Sequence, residues 1–115
     1  MKFKTIEQHI LDQQRKFPGA SGGFSGLLYD IALAAKMIGK EVNRAGLVDV
    51  VGSTGEVNVQ GEVVQKMDKY SNDLLINILT HGGRVCAIAT EENENIVEMH
   101  DGDLVGKYAV NLDPL

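Results

Sequence analysis

Gly82 and Gly83 divide the chain into two parts with different hydrophobic periods. Before them, apolar residues recur at the spacing of amphipathic helices, and after them they come in short runs bounded by turn signals, which favours strands. At 115 residues the chain is long enough for one domain and too short for two. The predicted fold class is therefore α+β, or layered α/β, with helices packed on a mixed and incomplete β-sheet.

The first two helices are predicted from capping and stop signals. Thr5 and Gln8 have the spacing of a capping box, and apolar residues at helical spacing follow as far as Lys16. The second helix is predicted to begin with Ser25 as its N-cap and to stop at Gly46, a residue suited to the left-handed C′ position.

The third helix is predicted over residues 62–81, where apolar residues return to a helical period. Between the second and third helices, residues 47–61 mix valine with glycine and polar residues and show no period. We therefore predict a long loop over 47–61, and loops of that length inside a compact domain are often functional.

Three strands are predicted in the second part of the chain. Residues 84–90 form a short apolar run typical of a buried strand, and residues 96–99 and 107–112 are predicted to pair as a hairpin around Asp101-Gly102. The last strand leads directly into Asp113-Pro114-Leu115. Because three sizeable helices face so few strands, we expect a fold that continues beyond Leu115.

Charge and hydropathy exclude several classes of partner. Sixteen acidic and eleven basic residues give a net charge of −5, which repels nucleic acid and anionic membranes. No apolar stretch approaches the ~20 residues that span a bilayer. The one cysteine, Cys86, lies in an apolar run and is interpreted as a small buried residue rather than a nucleophile. We expect a cytoplasmic protein with no membrane or nucleic-acid partner.

Carboxylates stand at three places that a fold could bring together. Glu62 and Asp68 lie at the third helix, Glu91 and Glu92 follow the first strand, and Asp113 follows the last strand. Oxygen ligands of this kind suit magnesium, manganese or calcium, and the scattered histidines have no zinc-site spacing. The alternative is an ordinary solvated acidic surface. The matching positions of Glu91 and Asp113 at two strand ends favour a metal site.

Eight short motifs, in order and spacing, resemble class I fructose-1,6-bisphosphatases over about residues 17–115. They are Ala45-Gly46-Leu47, Asn58-Val59-Gln60-Gly61-Glu62, Lys66-Met67-Asp68, Ser71-Asn72, Gly83-Arg84-Val85-Cys86, Glu91-Glu92, Lys107-Tyr108 and Asp113-Pro114-Leu115. In that family the last motif continues into an aspartate-glycine-serine-serine loop. The resemblance implies that residues 1–115 are an N-terminal portion of the sugar-phosphatase fold that ends within the metal-binding motif.

The resemblance also implies a magnesium site, with manganese as a possible substitute. Its ligands would be Glu91, Asp113 and the backbone carbonyl of Leu115, with Glu92 and Glu62 supporting the site. The family usually has aspartate at the position of Glu62.

The implied reaction is hydrolysis of the 1-phosphate of fructose 1,6-bisphosphate to give fructose 6-phosphate, in gluconeogenesis or carbon fixation. Asp68 and Glu92 correspond to the pair that activates the attacking water, and residues 47–61 correspond to a loop that closes over the site. The fragment alone is expected to be inactive. The family further implies a homotetramer.

An AMP effector site is implied by five residues, although Ala20 and Gly23 depart from the family pattern. The five are Ser21, Gly22, Ser25, Lys107 and Tyr108. Two alternatives stay open for the function: a related lithium-sensitive inositol or nucleotide phosphatase, and a non-catalytic segment that binds AMP or forms oligomers.

Overall fold

The structure is a computed structural model that describes residues 2–52, 57–100 and 105–113, and within these the side chains of 47–52 and 57–63 are not described. Helices come first and strands follow, as the change of hydrophobic period predicted. The elements are α1 (Ile6–Gln14), α2 (Gly23–Gly52), α3 (Val57–His81), β1 (Val85–Thr90), β2 (Val97–Glu98) and β3 (Tyr108–Leu112). The predicted α+β class, with helices on a small mixed sheet, is confirmed.

Helix α1 begins with the predicted capping box. The Thr5 hydroxyl accepts a hydrogen bond from the Gln8 N–H at 3.1 Å, and the Gln8 side chain accepts one from the Thr5 N–H at 2.8 Å. These two bonds satisfy backbone donors that have no partner inside a helix. The helix ends at Gln14, two residues before Lys16, and Ile10 is its buried residue.

Helix α2 is longer than predicted at both ends. It begins at Gly23, so Ser25 lies inside the first turn and the prediction of Ser25 as N-cap was wrong. Gly22 has a φ of 88°, a conformation that glycine adopts readily, and its carbonyl accepts from the Gly26 N–H at 2.9 Å. The helix also passes through Gly46. An interior glycine costs only about 1 kcal/mol relative to alanine, which a long helix tolerates.

The predicted loop over 47–61 is wrong wherever the backbone is described, because α2 extends to Gly52 and α3 begins at Val57. Residues 53–56 lie outside the described part of the chain. Valine and glycine are poor helix formers, but each costs no more than about 1 kcal/mol, so composition alone does not exclude a helix. The other end of α3 was predicted correctly: it stops at His81, and Gly83 has a φ of 74°.

The sheet has the order β2-β1-β3. β2 pairs with β1 in the antiparallel sense, whereas β3 pairs with β1 in the parallel sense, with Thr90 opposite Leu112. The predicted hairpin between the second and third strands is therefore wrong, and its turn at Asp101-Gly102 lies outside the described residues. A local turn signal does not determine which strands pair. Here β2 and β3 each pair with the buried strand β1, one on either side.

The core lies where α2 and α3 cover β1. Its buried members, each no more than 5% exposed, are Leu27, Leu79, Val85 and Ile88. Ile88 is fully buried at the middle of the central strand. Over the described residues, no helix is long and apolar enough to cross a membrane.

An ion pair fixes the entry of β1 against α2. The Arg84 Nη1 donates to the Asp30 carboxylate and to the Gly82 carbonyl, both at 3.1 Å. A Cβ atom at Gly26 would collide with the Arg84 guanidinium, so glycine at this position leaves room for it. The start of β1 therefore has a fixed position against α2. The other end of the strand leads into the acidic residues of the candidate site.

Candidate functional site

Glu91 and Asp113 directly follow the ends of two neighbouring parallel strands. Parallel pairing places Thr90 opposite Leu112, the last residues of β1 and β3. The Glu91 N–H donates to the Leu112 carbonyl at 3.2 Å, which extends the ladder by one residue. Carboxyl ends of parallel strands meet at the same edge of a sheet. Two acidic side chains therefore lie at one edge of this sheet.

The proximity of these two carboxyls changes the acidity of Glu91. A hydrogen bond with the Asp113 carboxyl and the negative charge of Asp113 raise the pKa of Glu91. Desolvation and the charges of Glu92 and Asp68 raise it further, in that order. Like charges held close together favour a shared proton or a bound cation. Three acidic residues, from α3 and from the ends of β1 and β3, therefore act on Glu91.

A chain of hydrogen bonds connects α3 to the turn that carries the two glutamates. The Glu92 N–H donates to the Thr90 hydroxyl at 3.3 Å, and that hydroxyl donates to the Asn72 Oδ1 at 2.6 Å. The Asn72 Nδ2 donates in turn to the Asn93 Oδ1 at 2.7 Å. Asn72 and Thr90 are 4% and 8% exposed. Sequence reasoning missed Thr90 and Asn93, although a polar residue closing an apolar strand was a visible signal.

The predicted metal and catalytic residues are only partly brought together. Glu91 and Asp113 form a close pair, and Glu92 and Asp68 lie within electrostatic range of Glu91. The side chain of Glu62 and the whole of Leu115 lie outside the described part of the chain. Among the residues that are described, no group of three or more His, Cys, Asp or Glu is arranged to hold a metal ion.

A pocket of about 570 Å³ lies between α1 and the start of α2. Four of the five residues predicted to bind AMP line it, namely Ser21, Gly22, Ser25 and Tyr108. Lys107, the fifth, is an exposed neighbour of Tyr108 that does not line the pocket. The ring of Tyr108 packs at 47° against that of Phe24, with 5.7 Å between centroids. The fold therefore brings the glycine-rich start of α2 close to β3, although the two are more than eighty residues apart in the sequence.

The remaining walls of this pocket were not predicted, apart from Ala20 and Gly23, which were noted as departures from the family pattern. They come largely from α1 and from the segment that follows it: His9, Ile10, Gln13, Gln14, Phe17, Gly19, Ala20, Gly23, Phe24 and Leu28. Ile10, Gln13 and Gln14 are spaced by three and four residues, so they share one face of α1. That spacing identifies a common face, but the sequence does not show which element the face meets.

Comparison with known proteins agrees with this architecture. The family model described as "Fructose-1-6-bisphosphatase, N-terminal domain" matches residues 4–115. A class 1 fructose-1,6-bisphosphatase of Maridesulfovibrio salexigens is 50% identical over 111 residues, which cover 96% of this chain and 33% of the relative. One from Oleidesulfovibrio alaskensis is 49% identical over 115 residues, covering 100% and 34%. The chain thus spans about a third of the length of these relatives.

Solved structures show the same fold. Fructose-1,6-bisphosphatase of Leishmania major in its holo form superposes with a TM-score of 0.76 at 27% identity, covering 98% of this chain and 32% of that one. The T-state form of the same enzyme gives a TM-score of 0.71. Sequence and fold agree, and the chain belongs to the fructose-1,6-bisphosphatase family, whose N-terminal domain it matches.

Proposed function

We propose that this chain supplies part of the active site of a magnesium-dependent phosphatase that hydrolyses the 1-phosphate of fructose 1,6-bisphosphate to give fructose 6-phosphate. The observation that carries the proposal is the convergence of Glu91 and Asp113 at the ends of two parallel strands. Family membership supports the reaction, because the relatives are named for it. The rest of the site would come from the downstream segment that the relatives contain.

The donor set fits a hard divalent cation. Glu91 and Asp113 offer carboxylate oxygens, and the Asp113 carboxyl raises the pKa of Glu91, as expected for two acidic groups held close together. Carboxylates and carbonyls are the ligands that magnesium and manganese prefer. We propose that these two residues and the Leu115 carbonyl hold the ion, with Glu92 and Glu62 in support. When bound, the ion would offset phosphate charge and acidify the attacking water.

Asp68 and Glu92 are the proposed proton acceptors. Both carboxylates lie within electrostatic range of Glu91, one from α3 and one from the turn after β1. A carboxylate in this position takes the proton from the attacking water while the new bond from oxygen to phosphorus forms and the ester bond to the sugar breaks. Their proximity to Glu91 would place both carboxylates near the reacting phosphate once the site is complete.

The assay uses a completed protein, defined as this chain followed by the downstream segment of the Maridesulfovibrio salexigens relative. Phosphate release with magnesium is measured on fructose 1,6-bisphosphate, an inositol monophosphate and an adenosine bisphosphate, with fructose 6-phosphate as the control substrate. Preferred release from the 1-position of fructose 1,6-bisphosphate supports the proposal. Preference for the inositol or adenosine substrate supports the lithium-sensitive alternative. The 115-residue chain alone is expected to release no phosphate.

A second function, AMP binding, is favoured by the pocket between α1 and α2. The N-terminal turn of α2 lines it, and helix N-termini bind phosphate through backbone N–H groups. Ser21 and Ser25 add hydroxyl groups, and Tyr108 with Phe24 adds aromatic surface suited to a base. Calorimetric titration with AMP tests it, with adenosine as the control ligand. If titration to millimolar AMP releases no binding heat, the pocket between α1 and α2 does not bind AMP as an effector.

The proposal also covers the location, assembly and metabolic role of the enzyme. We propose a cytoplasmic homotetramer that acts in gluconeogenesis or carbon fixation. Native mass spectrometry of the completed protein tests the tetramer, and a monomer at micromolar concentration would contradict it. If the completed protein binds AMP but hydrolyses none of the substrates, the chain is instead a non-catalytic effector or oligomer-forming segment.

A further inference from the structure

We infer that the buried hydroxyl of Thr90, oriented by Asn72, is a positioning group that sets the acidic turn after β1 in its metal-binding geometry. The inference rests on the proposed function and concerns Thr90 and Asn72, which are not among the proposed ligands and proton acceptors. Its basis is the hydrogen-bond chain that begins at the Glu92 N–H and ends at the Asn93 side chain.

Strand geometry constrains the two glutamates that follow β1. Successive side chains on a regular strand point to opposite faces, so Glu91 and Glu92 would diverge if β1 continued. In the structure β1 stops at Thr90, and a turn follows. Both glutamates lie in that turn, so the alternation that would separate them on a strand does not apply. The end of the strand is therefore a requirement of the site.

Two hydrogen bonds to Thr90 form the turn that ends the strand. The Thr90 hydroxyl accepts the Glu92 N–H at 3.3 Å, and the Thr90 carbonyl accepts the Asn93 N–H at 3.2 Å. A threonine side chain that bonds to backbone two residues later competes with extended structure and favours a turn. Thr90 thereby holds the backbone of the acidic turn from both its side chain and its carbonyl.

Asn72 sets the direction of the Thr90 hydroxyl proton. The Thr90 hydroxyl donates to the Asn72 Oδ1 at 2.6 Å, so its lone pairs face the Glu92 N–H. The Asn72 amide is held in turn, because its Nδ2 donates to the Asn93 Oδ1 at 2.7 Å. Each link fixes the orientation of the next, and such chains polarise one another at buried sites. Helix α3 therefore fixes the turn.

The test compares Thr90→Val with Thr80→Val in the completed protein. Valine keeps the shape of threonine and removes the hydroxyl. Thr80 is a matched control on α3 whose hydroxyl donates to the Asn77 carbonyl at 3.0 Å. It lies about 12 Å along the helix axis from Asn72, at a rise of 1.5 Å per residue. Thr90→Ser restores the hydroxyl and serves as the rescue variant.

The readouts are Mn²⁺ affinity by electron paramagnetic resonance, thermal unfolding, and kcat separated from KM. Partners that orient metal ligands typically contribute ten- to hundred-fold to affinity or activity. We expect Thr90→Val to weaken Mn²⁺ binding by about ten-fold or more and to lower kcat more than it raises KM. Thr90→Ser should stay close to wild type, and Thr80→Val should match wild type in Mn²⁺ affinity.

Equal Mn²⁺ affinity and kcat in Thr90→Val and Thr80→Val would overturn the inference. If Thr90→Val does not fold, Asn93→Ala replaces it as the test variant. This substitution removes the last hydrogen bond of the series at a half-buried residue. Unchanged Mn²⁺ affinity in Asn93→Ala then overturns the inference. A wild type that binds Mn²⁺ without hydrolysing the bisphosphate refutes the proposed function alone, since the affinity comparison still stands. A wild type that binds no Mn²⁺ refutes both.

Discussion

Truncation of Ile88 to alanine should destabilise the protein by about 3–4 kcal/mol. Ile88 is fully buried at the centre of β1 and packs in the cluster with Leu27, Leu79 and Val85. The change removes three carbon atoms, worth about 0.8 kcal/mol each on transfer from water, or roughly 2.4 kcal/mol. A residual cavity of about 50 Å³ adds roughly 1.2 kcal/mol at about 24 cal/mol per Å³. The sum lies within the usual range for buried aliphatic truncations.

Urea denaturation of the completed protein, followed by circular dichroism, measures this effect. The matched control is Ile96→Ala, since Ile96 is 60% exposed and its truncation should change the unfolding free energy by no more than about 0.5 kcal/mol. The comparison is valid only if both variants keep the wild-type denaturant slope. If the two substitutions cost the same, β1 is not the centre of the core, and the position of Glu91 at its end has no rigid support.

Three further changes test the proton acceptors, the effector pocket and the surface ion pairs. Asp68→Asn or Glu92→Gln in the completed protein should lower kcat by about 10² or more with a smaller change in KM, because general bases contribute that much; near-normal turnover would place the proton elsewhere. Lys107→Ala should weaken AMP inhibition by roughly 1–3 kcal/mol, the range for a charge-assisted hydrogen bond to the phosphate, and unchanged inhibition would show that Lys107 takes no part in AMP binding. Lys36 lowers the pKa of Glu7 through a hydrogen bond. At pH values above the ordinary pKa of 4.5 the ionised carboxylate therefore stabilises the folded state, and this stabilisation is lost as the pH falls through the lowered pKa. The difference in unfolding free energy between wild type and Glu7→Gln should therefore shrink between about pH 5 and about pH 3, and a difference independent of pH and of salt would rule out the ion pair as its source.

Local signals in the sequence were reliable where the structure they specify is itself local. The Thr5 and Gln8 capping box needs only residues three apart, and the stop after His81 needs only glycine, so both were predicted correctly. Glu91 and Asp113 were expected to converge because each directly follows a strand, and parallel pairing makes neighbours of equivalent ends.

The errors concern choices made by tertiary packing. Residues 47–61 have poor helix formers, yet flanking helices extend into them, and the cost per residue is small. The Asp101-Gly102 signal predicted a hairpin, whereas both neighbouring strands pair with β1. The bonds of Thr90 to Asn72 join residues 18 apart, so no short motif contains them. Sequence reasoning selected the acidic residues as candidates and missed Thr90 and Asn93, whose hydrogen bonds hold the turn that carries two of them.

Titration of the completed protein with Mn²⁺, followed by electron paramagnetic resonance, tests the central claim that Glu91 and Asp113 together hold a divalent cation. The variants are Glu91→Gln and Asp113→Asn, and the matched control is Glu98→Gln, an exposed glutamate on β2. Because each ligand contributes charge as well as geometry, either site variant should weaken Mn²⁺ binding by roughly ten-fold or more, while the control binds as wild type does. Wild-type affinity in Asp113→Asn would contradict the claim, since the ion would then be held without the paired strand ends.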